Sequence, residues 1–85
     1  MTDEQHYLVI LAEECAEVAQ CAIKAVRFGF DGVKPGQELT NKQRLENELG
    51  DLLCMVEMLN LTPHDCGKRS AVEKYMEISR QKGQL

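Results

Sequence analysis

Two carboxylate clusters set among apolar residues carry the chemistry for which this chain is equipped: Glu13-Glu14-Cys15-Ala16-Glu17 and Glu48-Leu49-Gly50-Asp51. In each, an acid recurs three residues on, and residues three apart on an α-helix share a face. Glu14 with Glu17, and Glu48 with Asp51, thus each present two carboxylates in one direction. If the two helices pack as a hairpin, four carboxylates converge between them. Such a group repels itself unless a cation sits within it, and a hard divalent ion that prefers oxygen ligands meets that need. The expectation is a magnesium site.

The bland alternative is a pair of solvated helix faces, and two features weigh against it. Glu14 shares its side of the helix with Leu11 and Val18, and Asp51 lies between Leu49, Leu52 and Leu53. The pattern also occurs twice. Burying a carboxylate without a partner is costly, so a structural salt bridge is the remaining competitor. Local cations for that role are few, Lys42 and Arg44 preceding Glu48 by one to two turns.

The elements that must position these acids are helical. Apolar residues recur at Tyr7, Leu8, Leu11, Cys15, Val18, Ala22, Ala25 and Val26, and no glycine or proline intervenes before Gly29. A long first helix over about residues 3 to 28 follows, capped near Thr2 or Asp3 and closed by Gly29. Lys24 and Arg27 fall in its last turns, where cations are favoured by the helix dipole, with phosphate binding as the minority reading. Residues 29–40 form a breaker-rich loop, pinned to the bundle by Phe28, Phe30 and Val33; Lys34 on it reads first as a solvated loop lysine, with reach toward a ligand as the less common alternative. The loop holds no G-x-x-x-x-G-K-[ST] pattern and is not a P-loop.

Thr40-Asn41-Lys42-Gln43 reads as a capping box for a second helix that ends near Asn60. Gly50 in its middle costs about 1 kcal/mol relative to alanine. Its place beside Asp51 suggests a close backbone approach that belongs to the site's geometry. A shorter third helix starts from Thr62-Pro63, with Gly67 delaying its regular part to Lys68 or Ser70, and carries Ala71, Val72, Tyr75, Met76 and Ile78 as its apolar stripe.

An 85-residue chain with 44% apolar residues is read as one globular domain, 1–85, near the lower size limit of a self-sufficient core. The expected fold is all-α: a short bundle of two long antiparallel helices plus a shorter third, completed by oligomerisation. The net charge of −4 argues against a nucleic-acid polymer or an anionic membrane as partner. No apolar run approaches the roughly 20 residues of a membrane span, and the acidic start is unlike a secretory signal, so a cytoplasmic location is expected. Cys15, Cys21, Cys54 and Cys66 include no C-x-x-C pair. They read as small hydrophobes rather than as disulfide or zinc partners. His6 and His64 receive no role. A di-iron carboxylate bundle would need Glu-x-x-His pairs, which neither histidine supplies.

The run Glu13-Glu14-Cys15-Ala16-Glu17 followed by Glu48-Leu49-Gly50-Asp51 resembles the E-E-x-x-E…E-x-x-D signature of MazG-like all-α nucleotide pyrophosphohydrolases, over about residues 4 to 60. The 30 residues between Glu17 and Glu48 make a somewhat longer connection than that family usually has. The resemblance implies Mg²⁺-dependent hydrolysis of a (deoxy)nucleoside triphosphate between the α and β phosphates. By the same analogy Glu14, Glu17, Glu48 and Asp51 ligate one or more Mg²⁺, Glu13 stands near the attacking water, and Lys74 or Lys68 holds phosphates. A homodimer or homotetramer is implied, with Tyr7, Ile10, Leu11 or Met55 candidates to line a base pocket. The competing class is a non-catalytic helical interaction or regulatory module that retains the same bundle.

Overall fold

Thr2 opens the first helix, α1 (Asp3–Phe28), with a capping box. Its hydroxyl oxygen accepts from the Gln5 amide at 3.1 Å, while the Thr2 amide donates to Gln5 Oε1 at 2.9 Å. Thr40 and Gln43 repeat the device with the same two distances at the start of α2 (Asn41–Met58). Two orphan amide groups are thereby satisfied at each entry. The computed structural model describes residues 1–84, and a third helix, α3, spans Lys68–Gln81. No strand is present among the described residues, and the architecture is all-α.

α1 and α2 pack as an antiparallel hairpin. At one end Tyr7 lies near Met58 and Asn60; at the other Lys24 and Phe28 lie near Asn41 and Arg44. Burial follows one stripe on each helix. On α1 it runs through Tyr7, Leu11, Glu14, Val18, Cys21 and Ala25; on α2 through Asn41, Leu45, Glu48, Leu52, Met55 and Leu59. The steps alternate between four and three, the 3.5-residue period that keeps a seam facing its partner. Glu14 and Glu48 therefore occupy seam positions where an apolar residue would normally sit.

Several expectations change. Among the cysteines only Cys21 is buried, whereas Cys15, Cys54 and Cys66 are exposed free thiols, off the seam by one residue or outside the hairpin. The loop aromatics do not pin the loop, Phe28 and Phe30 being 67% and 53% exposed. Backbone polarity does so instead. The Asn41 amide donates to the Gly32 carbonyl at 2.8 Å, the Lys42 amide to Phe30 at 3.0 Å, and Val33 bridges Thr40. Buried Asn41 adds a side-chain bond from Nδ2 to the Gly29 carbonyl at 2.9 Å. A Cβ on Gly32 would collide with the Phe28 carbonyl and lie 3.0 Å from Asn41 Nδ2, so this glycine, unremarked in the sequence, is the one the packing requires. Gly50 is the opposite case, because a Cβ there meets nothing within 4 Å.

The regular third helix begins at Lys68, one of the two starts expected from the break at Gly67, and Thr62-Pro63 is not its first turn. Gly67 adopts a left-handed conformation (φ 84°), and Asp65 Oδ1 accepts from the Gly67 and Lys68 amides at 2.9 and 3.2 Å. That local turn competes with the helix and delays it to Lys68. α3 then packs against neither α1 nor α2. The radius of gyration is 16.3 Å, against about 12 Å for a compact chain of this length.

Candidate metal centre

The hairpin seam brings the two acidic clusters to one place. Glu14 and Glu17 come from consecutive turns of α1 and Glu48 from α2, and one carboxylate oxygen of each lies within 4.8 Å of the others. Glu14 and Glu48 are half-buried by the seam, while Glu17 stands at its open edge. Asp51 is exposed one turn beyond Glu48 and is close enough for its charge to act on both seam carboxyls. Glu13 is exposed beside Glu14. Lys68 and Lys74 lie on α3, away from this cluster.

The electrostatics are those of acids crowded together. Burial, then the charges of Glu17, Asp51 and Glu13, and finally a hydrogen bond with Glu17 hold the Glu14 carboxyl above its ordinary value of 4.5. Glu48 is raised first by its hydrogen bond with Glu17, then by burial and by the charges of Glu17, Asp51 and Glu14. Glu14 Oε2 and Glu48 Oε2 are buried with no hydrogen-bond partner. An orphaned buried carboxylate oxygen requires a reason. A structural salt bridge is not that reason, since the one ion pair among the described residues joins Arg80 to Glu77 on α3.

The donor set fits a hard divalent cation. It is all oxygen and close-set, it faces an open edge, and it contains no sulfur or imidazole that would favour a softer metal. Neither histidine belongs to the cluster. Geometrically the site can hold a cation between two helices with one side left open for a further oxygen ligand. The residues that the acids alone did not reveal are those around the loop: Gly32, Asn41 and Arg44. Arg44 was visible as the residue one turn before Glu48, though as a counter-ion for acids rather than as part of a separate surface.

No curated protein and no solved structure matches this chain. The family model of the MazG nucleotide pyrophosphohydrolase domain matches residues 2–77, covering the hairpin and most of α3. The carboxylates at the seam, the all-helical fold and this match agree, and the chain belongs to the MazG nucleotide pyrophosphohydrolase domain family.

Proposed function

We propose that this domain hydrolyses a (deoxy)nucleoside triphosphate between the α and β phosphates, giving the monophosphate and pyrophosphate, with Mg²⁺ held by Glu14, Glu17, Glu48 and Asp51. The observation that carries this reading is the pair of partnerless buried oxygens, Glu14 Oε2 and Glu48 Oε2, within reach of Glu17. Bound there, the metal would supply charge neutralisation on the phosphates and would activate water. In the reaction a water oxygen attacks the α phosphorus, the bond from that phosphorus to the α–β bridging oxygen breaks, and its electron pair leaves with pyrophosphate. The water's proton passes to a carboxylate, for which Glu13, exposed beside Glu14, is the candidate.

The chain works as a homodimer or homotetramer in this reading. Support comes from the extended shape and from apolar side chains left open on α3 and on the hairpin, including Tyr75 and Leu53. Because α3 does not touch its own hairpin, Lys68 and Lys74 would reach phosphates only across a subunit interface. The whole of 1–85 acts as one domain, and the setting is cytoplasmic. No helix among the described residues is long and apolar enough to cross a membrane.

The test is a pyrophosphate-release assay with Mg²⁺ across the common NTPs and dNTPs, on wild type, Glu17→Gln and Asp51→Asn. Release by wild type and its loss in both variants is expected. Unchanged activity in both variants would remove the metal assignment. A well-folded protein inert toward every nucleotide would favour the alternative, a non-catalytic interaction or regulatory module, whose supporting observation is the same set of exposed apolar residues.

A further inference from the structure

Beyond the carboxylates, a hollow lies at the loop end of the hairpin. It is a cavity of about 520 Å³ with a mainly apolar wall of Phe28, Gly32, Val33 and Pro35, beside Asn41, and a rim of cations: Lys24 from α1, Lys34 from the loop and Arg44 from α2. Three cations from three segments thus surround one concavity in a chain of net charge −4, and no acidic residue lines it. None of the three takes part in an ion pair among the described residues. Lys24 sits toward the C-terminal end of α1, where the helix dipole favours a cation, but Arg44 is in the first turns of α2, where it does not. The first turn of α2 carries no acid, in contrast to Asp3 and Glu4 on α1. Its positive end is left uncompensated, and a half-buried arginine is added to it. The loop holding Lys34 is built rather than loose, through the bonds of Asn41 to Gly29 and Gly32 and the tight fit at Gly32.

The cavity is in line with the metal centre. Lys24 follows Glu17 by seven residues and Arg44 precedes Glu48 by four. That places the cations on the same faces as the carboxylates, about 10 Å and about 6 Å further along the two helices toward the loop. We infer that this cavity holds the pyrophosphate end of the nucleotide, so that the substrate lies along the hairpin with its terminal phosphates at the loop and its nucleoside toward the opposite end. The inference rests on the proposed hydrolysis and adds an orientation to it. As the bond at the α phosphorus breaks, negative charge accumulates on the departing pyrophosphate, and Lys24, Lys34 and Arg44 are placed to bind it.

The probes are inorganic pyrophosphate and a nucleoside monophosphate, each titrated into the full-length, Mg²⁺-free protein by calorimetry and by amide chemical shifts. Pyrophosphate should move the amides of residues 29–44 and bind about tenfold more weakly to Lys24→Gln and to Arg44→Gln, the loss of one charge-assisted contact. Monophosphate affinity should be unchanged in both. Lys34→Gln, at an exposed loop position, should show the same selective loss with little risk to the fold. Equal weakening of monophosphate and pyrophosphate would place the nucleoside there and overturn the orientation, as would pyrophosphate binding indifferent to all three variants. Failure of the underlying reaction looks different: a protein that hydrolyses nothing yet binds pyrophosphate in a Lys24- and Arg44-dependent way keeps the subsite. Hydrolysis with an unchanged triphosphate KM in the three variants removes the subsite and leaves the reaction standing.

Discussion

In the hairpin, α1 and α2 each offer side chains at three- and four-residue steps to the other, and burial follows those steps. In α3, Val72, Tyr75 and Ile78 recur at the same kind of spacing and stay open, Tyr75 to 67%. Both regions are amphipathic helices, and only one has found a partner within the chain. Amphipathicity specifies which face must be covered and leaves open what covers it. Even the hairpin is thin, with Cys21 and Met55 its only buried apolar residues. The seam gives up two positions to Glu14 and Glu48, and the proposed metal site accounts for that concession. The contrast therefore separates a region with paired helices and acids in its seam from one whose apolar face is uncovered.

The largest effect that would break this division is on turnover. Glu48→Gln should reduce pyrophosphate release by about 100-fold or more while circular dichroism stays helical, because it removes a seam carboxylate that would hold the metal. Retained activity would make the seam acids structural. Next comes α3. Tyr75→Asp should weaken self-association by about tenfold or more in sedimentation analysis, leaving the hairpin's helix content intact. A wild-type protein that sediments as a compact monomer would show that α3 folds back in solution.

Two stability measurements sharpen the hairpin side. Asn41→Ala removes a buried amide that ties the loop to α2 and should cost about 1–2 kcal/mol in urea unfolding, the expected loss for a buried hydrogen bond. Gly50→Ala should instead stabilise by about 0.5–1 kcal/mol, since the helix gains propensity and the new methyl meets open space. A destabilised Gly50→Ala would reveal another subunit or a ligand packed against that face.

The smallest effect is on pH dependence, because both raised carboxyls remain partly hydrated. Glu14 and Glu48 hold their protons more tightly in the folded chain than at the ordinary value of 4.5. Without metal, ionising them opposes folding, so their contribution improves as pH falls from neutrality and is complete below that ordinary value. Metal-free Glu14→Gln should thus melt above wild type at pH 7, with the gap closing toward pH 4.5. Added Mg²⁺ should reverse the order, raising wild type and not the variant. Thermal melts in EDTA and in Mg²⁺ read both signs, and wild type melting higher in EDTA at pH 7 would contradict the burial and repulsion ascribed to Glu14.

The helices were legible because their signals are local. Thr40 with Gln43 marks a start, the unbroken run to Gly29 sets a length, and Thr2 with Gln5 was an equally readable second capping box. The acid pairs were legible as well, since three-residue spacing on a helix is a property of the chain itself. Less legible was the entry to α3, where Thr62-Pro63 looked like a start and the Asp65 turn with left-handed Gly67 won locally. Gly50 was read as a close approach that the hairpin does not show, and Gly32 drew no reading, because a glycine's need depends on what lies opposite its missing Cβ.

By itself the sequence determined three helices, their approximate bounds, and two carboxylate pairs each facing one way. Tertiary structure alone decided that Glu14, Glu17 and Glu48 meet, with Glu14 and Glu48 in the seam and a buried oxygen of each left without a partner. It also decided that Lys24, Lys34 and Arg44 close around one hollow and that α3 stays off the hairpin. The physical reason is range. Caps, periodicity and helix dipoles act within about a turn or two of chain. Carboxylate repulsion, cation convergence and burial depend on which distant segment comes to lie alongside, and the register of α1 against α2 supplies that.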